Sequence, residues 1–229
     1  SPVRQQRGLD TMATGLWLSA IAAEQLQNPD ELFYFQQSLS IAGLELTSIN
    51  GFPYGDFHQA KVKQGVYLPD WSNAKRLHYT KNLAEVLAAC LPEQKACGVI
   101  STLPLGYKEN WHQDKQQIAE QHLAQLADFL HQLKMRTGKT ILVCLEMEPD
   151  CVLESTDELV AFFNDKVKKL TVHHHHISVC FDVCHQAVMH EDCYHSLQCI
   201  VDNDISIGKI QLSNALQVDI TADNHQAVM

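Results

Sequence analysis

The sequence predicts a parallel α/β domain, and three observations carry that reading. Six apolar runs of strand length alternate with longer segments of helical periodicity along the 229 residues. Several runs are near-continuously apolar, as strands buried on both faces are. Polar residues gather just after the runs, at the C-terminal strand ends where α/β enzymes place their chemistry. A doubly wound sheet and a (β/α) barrel share this pattern, but no GxGxxG or GxxxxGK[ST] loop follows a strand, which counts against the doubly wound form.

Taken in order, the first strand is TGLWLS (14–19), and the second is LELTSIN (44–50), followed by a long connection. GVISTLPLG (98–106) is the third. TILVCLEME (140–148) and ISVCFDV (177–183) are the most continuously apolar, and IGKIQLSN (207–214) is the sixth. Helices are predicted where apolar residues recur every three to four positions, in NAKRLHYTKNLAEVLAACL (73–91) and DKQQIAEQHLAQLADFLHQL (114–133). STDELVAFFNDKVKKL (155–170) opens on a helix-capping pattern. The connection over residues 51–72, GFPYGDFHQAKVKQGVYLPDWS, is rich in Gly, Pro and aromatics and has no helical period. A loop of that length in one compact domain is expected to cover the mouth of a site.

With 45% hydrophobic and 19% charged residues, the chain (1–229) is expected to be a single domain with a substantial core. Its formal charge of −10, with 17 Lys and Arg scattered along it, excludes a nucleic-acid groove and favours a small-molecule partner. No apolar run approaches the roughly 18 residues of a membrane span, and SPVRQQRG has neither an apolar signal core nor an initiator Met. A cytoplasmic protein is expected, of which these residues form one part. Cysteines 90, 97, 144, 151, 180, 184, 193 and 199 form no CxxC pair, several lie within apolar runs, and buried reduced thiols are expected.

Strand alternation puts Cys144 with Glu146 on one face, and Cys180 with Asp182 on one face. Two carboxylates converging at a barrel mouth hold a divalent cation or move protons; the alternative for each is a helix N-cap or a core ion pair. His185 falls in the turn after Asp182, where it can act as acid and base or donate to a substrate hydroxyl. Lys209, Gln211 and Ser213 alternate on one face of the last strand. Asn50, Tyr54, Asp56 and His58, after the second strand, and Lys108, after the third, are expected to contact substrate, with Gln211 and Ser213. His112 sits in a post-strand loop, and His122 in a helix, facing solvent. The run His173–His176 precedes a strand and so falls at the end opposite the site, where a physiological metal is not expected.

This strand-end set resembles the xylose-isomerase-like TIM barrels, the superfamily of sugar isomerases, epimerases and apurinic endonucleases. In that superfamily a metal is held by a Glu after strand five, an Asp after six, a His after seven and a Glu after eight. Glu146 and Asp182 match the first two, and His185 matches a substrate-contacting His of several epimerases. Gln211, in QLSN, stands at the strand-seven His position. GLWLS, TSINGFPYGDFH, VYLPDW, ISTLPLGYK and FDVCHQAV resemble more closely the bacterial metabolite-traffic (EboE) family of these barrels. The resemblance implies an incomplete (β/α)8 barrel comprising about strands two to seven, truncated at both ends, with a divalent metal (Mn, Mg, Zn or Co) on Glu146 and Asp182. It implies isomerase or epimerase chemistry on a small sugar or polyol-like metabolite, in a secondary-metabolite pathway. Gln211 favours the alternative, a non-catalytic binding or trafficking protein on the same barrel. An abasic-site endonuclease is disfavoured by the acidic charge and by Gln211.

Overall fold

The structure, a computed structural model, describes residues 2–55 and 65–214. Asp56 and His58 therefore lie outside the described residues. Six strands, β1 (Met12–Trp17), β2 (Leu44–Asn50), β3 (Cys97–Thr102), β4 (Thr140–Glu146), β5 (Ile177–Asp182) and β6 (Ile207–Gln211), form one sheet. Every pairing is parallel and the spatial order is the sequence order. That order has no switch point, which removes the doubly wound alternative and leaves a barrel-type winding.

The sheet is curled. Strands three apart in a flat sheet stand roughly 14 Å from each other, yet Lys209 Nζ on β6 donates to Ser101 Oγ on β3 at 2.9 Å. Small residues permit this closeness. A Cβ on Gly208 would meet Cys144 Sγ at 2.6 Å and Ser178 Oγ at 3.0 Å, so β6 approaches the interior of β4 and β5 only without a side chain there. Gly208→Ala is expected to cost about 1–3 kcal/mol by overpacking, measured by urea denaturation.

Among the described residues the strands match the six runs in number, and β2 runs Leu44–Asn50 as the sequence indicated. Elsewhere the C-terminal ends differ. β1 stops at Trp17 because Ser19 is the N-cap of α2 (Ala20–Gln25), its Oγ accepting from the Ala22 amide at 3.2 Å. β3 stops at Thr102 although Leu103 and Leu105 are buried, since Leu105 turns to φ 70° and its carbonyl accepts from the Trp71 amide. Burial there comes from the covering loop, not from sheet pairing.

Helices pack on the outer face. α1 (Pro2–Gln6) precedes β1, and α3 (Pro29–Ala42) follows α2, capped by Asn28 and ended by Gly43 at φ 63°. α4 (Ala74–Cys90) and α5 (Gln113–Thr137) turn rows of Leu and Ala inward, Leu83 and Leu87 on one, Leu123, Leu126 and Leu130 on the other. α6 (Thr156–Phe162) begins with a complete Ser155–Glu158 capping box and passes through one wide turn, Phe163–Val167, into α7 (Lys168–Leu170). α8 (Val183–Val188) and α9 (Cys193–Asp202) follow β5. No helix among the described residues is long and apolar enough to cross a membrane.

All eight cysteines are free thiols, but only Cys144, Cys151 and Cys180 are buried, and Cys97 is exposed. Burial pushes the Cys144 thiol up to about 12, which leaves it an inert packing group. His122 corrects an expectation, because it does not face solvent freely: its half-buried ring bonds through Nδ1 to the Trp71 carbonyl at 2.8 Å.

Candidate active site at the strand ends

β4 and β5 are apolar to their last residue and then end in a carboxylate. Glu146 and Asp182 are each only 5% exposed. Parallel register sets Asp182 beside Gln211 and Glu146 beside Cys180, so three strand ends bring three polar side chains together. The Gln211 amide nitrogen donates to Glu146 Oε1 at 2.9 Å and to Asp182 Oδ2 at 2.6 Å. Its orientation is set by Lys209, whose ammonium donates to Gln211 Oε1 at 2.8 Å. A flipped amide would aim NH2 at an ammonium and oxygen at two carboxyl groups, so the assignment rests on charge. Gln211 is therefore a hydrogen-bond bridge between the two acids.

Asp182 has a second task. Its Oδ1 accepts from the amides of Cys184 at 2.9 Å and His185 at 3.4 Å and from the Ser213 hydroxyl, making it the N-cap of α8. Both roles considered for this residue, mouth carboxylate and helix cap, fall on one side chain. Burial works against its charge, but the Ser213, His185, Gln211 and Cys184 contacts outweigh it and hold Asp182 below the ordinary Asp range. Glu146 goes the other way. Burial, with Asp182 and Glu148 adding negative charge, pushes it up to about 7 against the opposing pull of His185. Two adjacent carboxyl groups are thus split into one ionised and one protonated near neutrality.

Asp182→Ala removes the cap and orphans the Gln211 and Ser213 donors. A loss of about 2 kcal/mol at neutral pH is expected. Because the folded-state value is lowered, this contribution is present above the unfolded pKa and fades as pH falls through the folded one. Denaturation of wild type and variant at pH 7 and in strong acid checks it, the gap closing in acid.

His185 and Glu148 complete the cluster. The Met147 carbonyl can only accept, so His185 Nδ1, 2.7 Å away, carries a hydrogen. Nε2 then faces Glu148 Oε2 at 3.2 Å, and Nδ1 lies 3.8 Å from Glu146 Oε1. Glu148 Oε1 accepts from the Tyr67 hydroxyl at 3.2 Å, and burial raises both the Glu148 carboxyl and the Tyr67 phenol above their ordinary values. Tyr67 comes from the long connection, which so reaches over the acids. Glu148 sits two residues past Glu146, a spacing the alternation of strand faces makes visible; Tyr67 carries no such signal.

Other sequence-indicated residues are less central. Asn50 accepts from the Phe52 amide at 3.0 Å and lies 3.5 Å from Ser101 Oγ, the group that also receives Lys209, so it joins the network at one remove. Tyr54 stacks edge-on against Tyr79 and lines a different cavity of about 400 Å³ with Ala20, Glu24 and His78. Lys108 is committed to Glu154 at 2.6 Å and Glu158 at 3.0 Å, and not to the acid cluster. His112 caps α5.

One unanticipated residue organises the mouth. Arg76, fully buried on the first turn of α4, donates from Nη1 to the Gly51 carbonyl at 2.8 Å and from Nε to the Pro69 carbonyl at 2.9 Å. These are the two ends of the long connection. The guanidinium lies 5.5 Å and 5.7 Å from the ring centres of Tyr79 and Tyr54, and though burial lowers it to about 10 it stays charged at neutral pH.

The superfamily resemblance implies a metal, and the donor set can be tested against one. Between Glu146 and Asp182 the Gln211 NH2 already fills the gap with hydrogen-bond donors, so that pair alone does not fit a cation. Glu146, Glu148 and His185 do fit: one ligand atom from each lies within 4.8 Å of the others, and His185 is oriented through Nδ1 by a backbone carbonyl, as metal-bound imidazoles are.

No protein-family model matches the chain, and no curated protein sequence does. Solved structures do. The structure aligns with 3-keto-D-glucoside 4-epimerase YcjR from E. coli, apo form, at a TM-score of 0.51 and 10% identity, covering 99% of this chain and 89% of that one. It also aligns with the IolI protein with a bound zinc atom, at a TM-score of 0.50 and 12% identity, covering 86% of this chain and 61% of that one. The chain therefore spans about three fifths of the length of IolI. At these identities the likeness shows the fold alone. The six described strands and their helices form a curled α/β half-barrel, in keeping with part of a (β/α) barrel.

Proposed function

We propose that the chain is a sugar-isomerase or epimerase-like protein that moves a proton on a small sugar or polyol-like metabolite. The observation that carries this reading is the split pair at the strand ends, with Glu146 pushed toward neutrality beside an ionised Asp182. The sugar epimerase among the structural neighbours supports the same chemistry.

Glu146 is the acid that supplies a proton to a substrate carbonyl oxygen. The His185–Glu148 pair, with Nε2 and Oε2 3.2 Å apart, is the base that takes the hydrogen from the neighbouring carbon. Return of that proton to the other carbon isomerises the sugar, with ionised Glu146 taking the proton of the adjacent hydroxyl as it becomes the carbonyl. Return to the other face of the original carbon epimerises it, with Glu146 taking back the enol proton. Asp182 stays ionised and holds Gln211 and the start of α8, while Lys209 fixes the Gln211 amide. Asn50, Ser213 and the Gln211 amide offer hydroxyl contacts at the rim; Asp56 and His58 remain proposed contacts of the same mouth. A divalent ion (Mn, Mg, Zn or Co) on Glu146, Glu148 and His185 would require all three deprotonated, and would supply the polarisation of the carbonyl in place of the Glu146 proton. The metabolite-traffic resemblance extends the reading to a secondary-metabolite pathway.

Incubation in D2O with aldoses, ketoses, keto-glycosides and cyclic polyol ketones tests it by mass spectrometry. One deuteron incorporated at the carbon beside a carbonyl in a member of the panel supports it. A ligand bound tightly and recovered without exchange refutes it in favour of the second reading, a binding or trafficking protein. The Gln211 bridge favours that second reading, since it satisfies the acid pair with hydrogen bonds where a cation would sit.

A further inference from the structure

The strand-end chemistry makes no use of the run His173–His176. His174–His176 form a single helical turn leading into β5 at Ile177, the opposite end of that strand from Asp182. His131, from α5, reaches the same place. Its ring stacks on His173 with centroids 3.7 Å apart and planes 7° apart, and meets His176 edge-on at 6.2 Å.

Two atoms set this cluster apart from a histidine-rich surface. His176 is fully buried, and its Nδ1 lies 3.0 Å from the Ile141 carbonyl, which can only accept. The hydrogen is therefore on Nδ1, and Nε2 is a lone pair; it is buried with no hydrogen-bond partner among the described residues. His131 Nδ1 is buried and unpartnered as well. Buried polar atoms in folded proteins are almost always satisfied, and here two aromatic nitrogens lie unsatisfied in one cluster. One ligand nitrogen from each of His131, His175 and His176 lies within 4.8 Å of the others.

We propose that His131, His175 and His176 form a three-imidazole site for a borderline transition-metal ion such as zinc, separate from the acid cluster at the strand ends. Zinc bound tetrahedrally at about 2.0–2.1 Å per nitrogen sets its ligands roughly 3.3 Å apart, so the three rings need only draw in slightly. The Ile141 carbonyl orients His176 from outside, as carbonyls orient metal-bound imidazoles. His175 is exposed, which gives the ion a route from solvent and leaves a fourth position for water. No carboxylate belongs to the set, and Lys134, a turn along α5 from His131, adds a positive charge nearby. Magnesium and calcium, which need oxygen ligands, are thereby excluded, whereas zinc, cobalt and nickel suit imidazole. Filling the site would tie α5 to the entry of β5.

Chelator-treated protein titrated with Co2+, followed by visible absorption, and with Zn2+, followed by calorimetry, tests this. The Glu146→Gln, His185→Gln double variant serves as background to silence the strand ends, since His185 belongs to both candidate ligand groups there. One equivalent is expected in that background, with a tetrahedral cobalt band and a raised melting temperature. His131→Gln should weaken it by more than the ~10–100-fold that loss of an outer partner costs. His174→Gln, in the run but outside the set, should leave it unchanged. Equal weakening by His174→Gln and His131→Gln would mean the run binds as a simple tag and would overturn the proposal, as would absence of a bound ion in the double variant. If His131→Gln does not fold by circular dichroism, His175→Ala, at an exposed ring, takes its place with the same expected loss.

Discussion

Glu146→Gln is expected to do two opposite things: lower proton-exchange activity by about 10²–10⁴-fold and stabilise the fold at neutral to alkaline pH. The first follows from removing the proton carrier while keeping its shape and its acceptor for Gln211. The second follows from linkage. Burial raises the folded-state Glu146 from 4.5 to about 7, so the group's contribution is fully present below the unfolded value and is lost as pH rises through the folded one. At pH 8 the wild type therefore carries a penalty on the order of 1–3 kcal/mol that the variant lacks, and at pH 4 the two should be equal. Urea denaturation of chelator-treated proteins at both pH values measures it. A variant less stable than wild type at pH 8 would show that Glu146 is held ionised.

Arg76→Ala has the largest expected cost in stability, about 3 kcal/mol or more, because two backbone carbonyls lose a charged donor at a fully buried position. Arg76→Lys should recover less than half, since one ammonium cannot span the Gly51 and Pro69 carbonyls as the planar guanidinium does. Loosening both ends of the connection should also release Tyr67 from Glu148. Limited proteolysis should then cut within residues 51–72 faster than in wild type at matched fractions folded. Unchanged cleavage would mean that Arg76 supports packing alone.

The fold was legible because parallel strands announce themselves as apolar runs, most clearly in β4 and β5, which are buried almost throughout, and less so in β1 and β6, which are only partly buried. α3 was not, because its exposed Phe33, Tyr34 and Ile41 blur the apolar stripe of Leu32, Phe35 and Leu39. Its signals lay in the caps, Asn28 before Pro29 and Gly43 at the end. Glu146, Asp182 and Gln211 were legible from strand alternation, and Glu148 was equally available as the next residue of that parity. Arg76 left one trace, a charged residue on the same inward row of α4 as Thr80, Leu83 and Leu87. Which partners it clamps is a matter of loop path, and no local pattern encodes that. Tyr54 and Lys108 show the converse error: residues after a strand need not face the mouth, and these two are held by Tyr79 and by Glu154 and Glu158.

The proposed chemistry rests on a carboxyl group kept protonated near neutrality beside one kept ionised. Carbon-13 NMR titration of the glutamate side-chain carboxyls, in chelator-treated wild type and in Glu146→Gln, reads that directly and needs no substrate. The expected result is one resonance titrating near 7 that is absent from the variant. Titration of every glutamate close to the ordinary value of 4.5, with no difference between the two proteins, would contradict it.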